Sequence, residues 1–204
     1  MPGSAGQPGS GAAGEFALGD TVLSASQISE RTGELARQID AAYSTLARPL
    51  VLVCILKGSF FFTADLARRL SVPIELDFMA VRSYGARVKS SGTVELVKDI
   101  STPLGGRDVL LVEDIVDTGL TTAFLHRHLQ EHAPGSLEIV SLLYKETGKQ
   151  EYVACRWTGF TIPDRFVVGY GLDYDEQWRN LEDIREMIPA AEKLAKSAER
   201  KTTV

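Results

Sequence analysis

The chain has 204 residues, a length that favours one compact domain, and 44% of them are hydrophobic, which is enough to form a core. The net charge of −5 and the pI of about 5.3 argue against a nucleic-acid-binding protein, because such proteins usually carry a basic surface. No apolar run approaches the ~18 residues of a membrane span. The N-terminus also lacks the positive patch and apolar stretch of a secretory signal.

The first residues predict a disordered segment, and the two cysteines indicate a reducing environment. Residues 1–18 are expected to be a disordered tail or linker, because the first fourteen are almost entirely Gly, Ser, Ala and Pro. Cys54 and Cys155 are too few for a disulfide framework, which favours a reduced, cytoplasmic location. Cys54 also falls within an apolar run and is predicted to be a buried thiol in a strand.

Hydrophobic periodicity predicts alternating helices and strands. The first predicted helix runs from Ser24 to Ala47, with Ser24 and Gln27 at capping-box spacing and Pro49 beyond its end. The other predicted elements, in chain order, are a strand over Leu50–Leu56, a helix over Phe60–Leu70, strands over Ile74–Val81, Val94–Val97 and Val109–Val112, a helix over Thr118–Glu131 and a strand over Leu137–Tyr144. This order predicts an α/β domain with a central, mostly parallel sheet flanked by helices.

The pattern changes twice along the chain. Residues 82–93 are polar, with two glycines, two arginines and one lysine, and are too hydrophilic for a core. From Lys145 onward the sequence breaks into short, aromatic-rich pieces, so residues 145–188 are predicted to form most of a small lobe on the sheet. The domain is therefore predicted to cover residues 19–188, and residues 189–204 to form a charged tail.

The most informative segment follows the strand predicted over residues 109–112. Glu113 and Asp114 come directly after this strand, at the edge where open α/β sheets bind their ligands. Asp117 follows, and Thr118–Thr122 then opens a helix whose N-terminal N–H groups can bind an anion. The threonine hydroxyls add donors, and the glycine in this turn allows close backbone approach. Carboxylates beside an anion site predict a pocket for a sugar phosphate.

Other interpretations of this segment are weaker. It lacks the Gly-Lys-Ser/Thr ending of a Walker A loop, and no dinucleotide-binding glycine pattern follows a strand. Asp117 and Thr118 could merely cap the helix while Glu113 and Asp114 are solvated. Capping would explain a lone Asp-Thr-Gly, but it does not explain the whole run of acids and threonines.

The run Glu113–Gly119 resembles the phosphoribosyl-pyrophosphate motif of type I phosphoribosyltransferases, in their hypoxanthine-guanine branch, and the resemblance covers about residues 20–188. It implies the type I fold with a small hood lobe formed by C-terminal and N-terminal parts of the chain. It also implies phosphoribosyl pyrophosphate as donor, a 6-oxopurine as acceptor, Mg²⁺ as cofactor and a homodimer or homotetramer. It assigns the ribose and 5-phosphate to Glu113, Asp114, Asp117, Thr118, Gly119, Leu120 and Thr121. Asp117 is implied as the catalytic base near purine N7.

Two loops support the same resemblance. Leu56-Lys57-Gly58-Ser59 resembles the family's pyrophosphate loop, which assigns Lys57 and Gly58, together with Arg179, to pyrophosphate. Ser83 and Tyr84 resemble the start of the mobile lid that closes over the site. A lid suits this chemistry because a cationic sugar must be shielded from water. Leu120 stands where some relatives carry a basic residue, and the backbone donors of that turn remain.

The purine site is implied by Lys145 and the run 166–174. By resemblance, Phe166 stacks on the purine, the Val167 backbone reads its edge, and Asp173 assists magnesium together with Glu113 and Asp114. An ammonium group has donors only, so Lys145 suits a 6-oxo group and opposes the amino group of adenine. A xanthine-preferring enzyme stays open, as does a non-catalytic regulator that binds nucleotides or RNA.

His128 and His132 are four residues apart on a predicted helix, a spacing that could chelate a metal. No carboxylate or thiolate in the sequence convincingly completes such a site. The histidines are therefore expected to lie on a solvated helix face.

Overall fold

The computed structural model describes residues 16–84, 93–146 and 154–193, which contain nine strands and three helices. The strands are β1 (Phe16–Leu23), β2 (Leu50–Leu56), β3 (Ile74–Tyr84), β4 (Thr93–Lys98), β5 (Asp108–Val116), β6 (Ser136–Lys145), β7 (Trp157–Ile162), β8 (Val167–Val168) and β9 (Ile184–Pro189). The helices are α1 (Ala25–Ala42), α2 (Phe60–Ala67) and α3 (Leu120–Gln130). Within the described ranges, no helix has both the length and the apolar character needed to cross a membrane.

The main sheet has six strands in the order β4-β3-β2-β5-β6-β7, all parallel except β4, which is antiparallel to β3. The two central strands, β2 and β5, have apolar residues at successive positions because both faces of the sheet are covered. Leu50 and Leu52 belong to the core under α1 and α2, while Val51 and Val53 pack with α3. The predicted sheet flanked by helices is therefore confirmed.

A second sheet, in the order β1-β9-β8, is antiparallel and forms the small lobe. Val167 and Ile184 from this sheet share a core with α1 and α2, so the lobe lies on that side of the domain. Residues 145–188, predicted to form most of the lobe, divide between the sheets because β7 pairs with β6. The lobe also uses β1, which begins at Phe16, inside the range 1–18 that was expected to be a tail.

Helix α1 begins as predicted and ends early. Ser24 accepts a hydrogen bond from the Gln27 N–H, and the Gln27 side chain accepts one from the Ser24 N–H, which confirms the capping box. The helix ends at Ala42 rather than Ala47, and the Ser44 hydroxyl donates to the Ala41 carbonyl. Such local side-chain bonds compete with helix continuation.

Strand β2 matches its prediction over Leu50–Leu56, and Cys54 is buried in it with a free thiol. The other elements differ from the predicted bounds by a few residues. Strand β5 is the difference that matters, because it runs to Val116 and therefore contains Glu113 and Asp114 instead of ending before them.

Candidate active site

A cavity of about 320 Å³ lies at the carboxyl edge of the main sheet. Four segments that are distant in sequence line it. They are the loop after β2 (Lys57 and Gly58), the end of β5 (Glu113 and Asp114), the loop into α3 (Asp117, Thr118, Gly119 and Thr121) and the hood loop (Asp173 and Arg179). The structure thus brings together the residues predicted for ribose, phosphate, pyrophosphate and metal. Leu120, Lys145, Phe166 and Val167 are not among the described residues that line it.

The N-terminus of α3 opens onto this cavity without a side-chain cap. Gly119 is the N-cap, with φ of 78°, a left-handed conformation that favours glycine, and it has no side chain that could cap the first turn. The first N–H groups of a helix have no intrahelical partner, so they are available to an anion. Gly119, and not Asp117 or Thr118, occupies the N-cap position, and the latter two residues are exposed.

One predicted phosphate donor is engaged elsewhere. The Thr122 side chain is buried, and its hydroxyl lies 3.4 Å from Glu113 Oε1, to which it donates. Thr122 lines the cavity together with Thr118 and Thr121, so the prediction that its hydroxyl serves the phosphate stays a prediction. Glu113 is itself only 3% exposed, so its carboxylate is largely removed from water.

The two adjacent carboxylates carry the strongest electrostatic perturbation of the site. Burial, reinforced by the charge of Asp114, raises the pKa of Glu113 well above its usual range. Desolvation raises the pKa of Asp114 to about 6, although the Ile115 N–H and the Arg179 charge oppose that rise. Negative charge at this edge is therefore under-compensated, and hydroxyl donors or a cation would stabilise it. Asp114 and Asp173 also supply the oxygen ligands that Mg²⁺ prefers.

Glycines let the loop after β2 approach β5 and the hood. A Cβ on Gly58 would lie 1.5 Å from Asp114 Oδ2, and a Cβ on Gly171, whose φ is 102°, would lie 2.0 Å from the Gly58 carbonyl oxygen. The Leu56–Lys57 peptide bond, which opens this loop, is cis. Any side chain at position 58 would displace the Asp114 carboxylate or the loop itself.

The two basic residues predicted for pyrophosphate share one acidic partner. Lys57 Nζ lies 2.9 Å from Glu176 Oε2, and Arg179 Nη2 lies 3.4 Å from the same oxygen. Arg179 Nη2 also lies 2.8 Å from Asp173 Oδ1, and its Nη1 donates to the Gly171 carbonyl. A carboxylate therefore bridges the two cations in this structure, in the place where a diphosphate could contact both.

Lys145 joins the helix-terminal site to the region predicted for the base. Its ammonium lies 3.1 Å from Asp117 Oδ2 and 3.3 Å from Asp164 Oδ1, and its side chain is only 9% exposed. Strand β6 delivers Lys145 at its last residue, beside the end of β5, because the two strands are parallel neighbours. The donors of Lys145 thus converge with the predicted catalytic carboxylate.

Residues 19–175 match the family model for the phosphoribosyl transferase domain. The chain belongs to the phosphoribosyltransferase family. A hypoxanthine-guanine phosphoribosyltransferase of Mycobacterium tuberculosis is 45% identical over 172 residues, which cover 82% of this chain and 85% of the relative. The predicted resemblance to the hypoxanthine-guanine branch is thereby confirmed.

Solved structures agree with that assignment. The hypoxanthine-guanine phosphoribosyltransferase of Bacillus anthracis, with HEPES in its active site, gives a TM-score of 0.77 at 37% identity, covering 85% of this chain and 99% of the other. The Trypanosoma cruzi hypoxanthine phosphoribosyltransferase, in complex with the product IMP, gives 0.77 at 40% identity, covering 83% and 94%. The type I fold predicted for this phosphoribosyltransferase is confirmed.

The hood of this phosphoribosyltransferase carries an aromatic cluster around Phe166. The Phe166 ring is 43% exposed and makes edge contacts with Phe16 at 6.4 Å and Tyr174 at 5.6 Å between centroids. Trp178 stacks on Tyr174 at 6.2 Å. Val167 begins β8 and is buried, and its partner in β9 is Glu186. The exposed part of the Phe166 side chain can stack on a planar base.

Sequence reasoning missed two acids of this phosphoribosyltransferase, Glu176 and Asp164. Glu176 contacts a lysine 119 positions away, and Asp164 contacts one 19 positions away, so no local pattern marks either contact. The strand pairing of Ser83 and Tyr84 with β4 is observed. The rest of the predicted lid, residues 85–92, lies outside the described residues, and the lid role stays a prediction.

Proposed function

We propose that this chain transfers ribose 5-phosphate from phosphoribosyl pyrophosphate to hypoxanthine or guanine, forming IMP or GMP and releasing pyrophosphate. One observation carries the proposal: Lys145, whose donors suit a 6-oxo group, contacts Asp117 directly before the uncapped N-terminus of α3. A base and a sugar phosphate bound at these two positions would meet at the ribose carbon that reacts. The names of the relatives support the same activity.

The donor is held at both ends. The N–H groups that open α3, with the hydroxyls of Thr118 and Thr121, bind the 5-phosphate. Glu113 and Asp114 accept hydrogen bonds from the ribose hydroxyls, and their raised pKa values fit groups that gain donors on binding. Lys57, Gly58 and Arg179 bind the pyrophosphate, which replaces the bridging Glu176 carboxylate between the two cations.

Mg²⁺ fits the oxygen donors of this pocket, with Asp114, Asp173 and Glu113 as the residues that would hold it, directly or through water. When bound, it supplies positive charge that offsets the charge of the departing pyrophosphate. Arg179 is a positive charge that the chain itself supplies to offset the charge of the pyrophosphate. An ion pair with Asp173, at 2.8 Å, holds Arg179 in position.

The purine is bound by stacking and by donors. Phe166, which is 43% exposed, stacks on the purine ring, and the Val167 backbone is the group that we assign to the purine edge. Lys145 donates to the 6-oxo group. As N9 attacks the oxocarbenium-like ribose, Asp117 accepts the N7 proton, and Lys145 beside it stabilises the ionised carboxylate. Closure of a lid that begins at Ser83 and Tyr84 excludes water from the cationic sugar.

Base selectivity tests this proposal. Pyrophosphate release is measured with phosphoribosyl pyrophosphate and Mg²⁺, offering hypoxanthine, guanine, xanthine and adenine separately. We expect activity with hypoxanthine or guanine and a strong preference over adenine. Lys145→Ala should reduce that preference, and Lys193→Ala, at an exposed site outside the cavity, should not. Preference for xanthine would identify the alternative enzyme, and an unchanged preference in Lys145→Ala would refute the role of Lys145.

Assembly and location belong to the same proposal. We propose a homodimer or homotetramer, supported by Phe60 and Phe61, which stay 48% and 40% exposed on α2. Light scattering after gel filtration tests it, and a monomer at micromolar concentration would contradict it. The free thiols of Cys54 and Cys155 support a cytoplasmic location.

A further inference from the structure

Three side chains that the proposed reaction does not use converge at the C-terminal end of α3. His128 Nε2 lies 2.9 and 3.0 Å from the two carboxylate oxygens of Asp99, and the His128 and His132 ring centroids are 5.4 Å apart. One ligand atom from each residue lies within 4.8 Å of the other two. The structure therefore supplies the carboxylate that the sequence did not reveal, because Asp99 is 29 positions from His128. The exposed His132 agrees with the expected solvated helix face, but that expectation did not include the contact of His128 with Asp99.

Local structure holds each of these side chains. His128 lies in the last turn of α3, and its ring stacks on Phe124 at an interplanar angle of 7°. His132 lies beyond the helix end, but its N–H donates to the Leu129 carbonyl, so the turn continues past Gln130. Asp99 follows β4, and the Ile100 N–H donates to its Oδ1 at 2.8 Å, which fixes the carboxylate.

We propose that Asp99, His128 and His132 form a binding site for Zn²⁺. Two imidazole nitrogens and one carboxylate oxygen are a common three-residue set for zinc, with water as the fourth ligand. At bond lengths of about 2.0–2.1 Å, neighbouring ligands of a tetrahedral ion are about 3.3 Å apart. The contact of His128 with Asp99 is near that spacing, and a rotation of the exposed His132 closes the remaining distance. Mg²⁺ and Ca²⁺ favour all-oxygen sites and would bind weakly.

The bound ion joins two elements that are separate in the chain. Asp99 lies at the end of β4, the strand that pairs with β3, and His128 lies about 12 Å along α3 from its first residue, at about 1.5 Å per residue. The zinc site is therefore distinct from the phosphate-binding end of α3. Because the ligands converge only in the folded chain, zinc should raise the melting temperature.

Zinc titration of the full-length, untagged protein tests the proposal, with Mg²⁺ in excess to occupy the carboxylates of the other cavity. We expect one Zn²⁺ per chain in the wild type. His132→Ala and Asp99→Asn should each weaken the affinity by about tenfold or more, the scale on which metal sites respond to lost partners. His126→Ala is the matched control, because His126 lies on the same helix outside the cluster and should leave binding unchanged.

Two further readouts separate ligation from structural damage. Co²⁺ in place of zinc should give the visible absorption of a tetrahedral ion in the wild type and in His126→Ala, and should lose it in His132→Ala. Zinc should raise the melting temperature of the first two proteins only, while all three melt alike without metal, since His132 is exposed. A wild type that takes up no zinc, or a His132→Ala protein that binds zinc as His126→Ala does, would overturn the proposal.

Discussion

A methyl group on Gly58 would lie 1.5 Å from Asp114 Oδ2, so the loop after β2 meets the end of β5 with no space for a side chain. This contact unites the predicted pyrophosphate loop and the predicted ribose carboxylate in one wall of the cavity. Gly171 of the hood packs against the same loop, because its Cβ would lie 2.0 Å from the Gly58 carbonyl oxygen. Three parts of the site thus meet at Gly58.

Gly58→Ala should therefore disable the enzyme while leaving the fold intact. A shift of about 1 Å in a positioned group costs on the order of 10²-fold in rate, so kcat/KM should fall by at least about that factor. Gly105→Ala is the control, because a Cβ there meets nothing within 4 Å and the position is outside the cavity. Steady-state kinetics and thermal melting of both variants measure the effect. Equal activity of the two variants would show that the close approach is unimportant.

Asp117 should act as the base, in contact with Lys145. Asp117→Asn keeps the shape of the side chain but removes the proton acceptor, so turnover should fall by about 10²–10⁴-fold. Asp164→Asn is the matched control, since Asp164 also contacts Lys145 but is 68% exposed and does not line the cavity. Single-turnover and steady-state assays measure the turnover of both variants. A comparable loss in Asp117→Asn and Asp164→Asn would assign the effect to Lys145 instead.

The Glu176 carboxylate should compete with pyrophosphate for Lys57 and Arg179. Its hydrogen bond from Lys57 and the charge of Arg179 lower the pKa of Glu176, so it is ionised in the neutral range. Because exposed ion pairs are weak, Glu176→Gln should lower the KM for phosphoribosyl pyrophosphate by only about two- to fivefold. The measurement is KM at fixed hypoxanthine, with the exposed Glu182→Gln as control. A higher KM in Glu176→Gln would mean that Glu176 assists binding.

Asp77 should make the fold sensitive to acid. Burial tends to raise the pKa of Asp77, but backbone N–H groups of Thr102, Phe78 and Ser101 outweigh it and lower the pKa to about 2. A carboxyl group whose pKa is lower in the folded than in the unfolded protein stabilises the folded state at pH values above the unfolded-state pKa. This stabilisation is lost as the pH falls from about 4 towards 2. The loss should be about 2 kcal/mol, since each pKa unit corresponds to about 1.4 kcal/mol.

Urea unfolding of the wild type and of Asp77→Asn between pH 7 and pH 2.5 measures this term. The variant should be less stable at pH 7, and the difference should shrink as the pH falls. Glu30→Gln, at an exposed position of α1, controls for the loss of one charge. A difference between the wild type and Asp77→Asn that does not change with pH would contradict the assignment.

Sequence reasoning succeeded where the physical signal is local. The run Leu50–Leu56 is apolar at every position, so the bounds of β2 were predicted to the residue. The capping box at Ser24 is likewise a local pattern. The antiparallel sheet of the hood was missed because β8 has two residues and β1 has an irregular register around Gly19 and Asp20. Both strands are stabilised by pairing with β9, and no local sequence pattern records that pairing.

The residues of the candidate site can likewise be divided into those that a local sequence pattern marks and those that depend on long-range packing. The acids of β5 and the turn into α3 were predicted from one continuous segment, and they line the same cavity. The bridging role of Glu176, the contact of Asp164 with Lys145 and the approach of Asp99 to His128 depend on how separate elements pack. The buried bond from Thr122 to Glu113 also follows from strand β5 continuing beyond its predicted end.

The most direct test of the proposed transfer is to incubate the protein with phosphoribosyl pyrophosphate, Mg²⁺ and hypoxanthine. Pyrophosphate and IMP are then measured together. If the chain catalyses the proposed transfer, the two products form in equal amounts, and neither forms when the base is omitted. The absence of IMP, or pyrophosphate release that does not depend on the base, would contradict it.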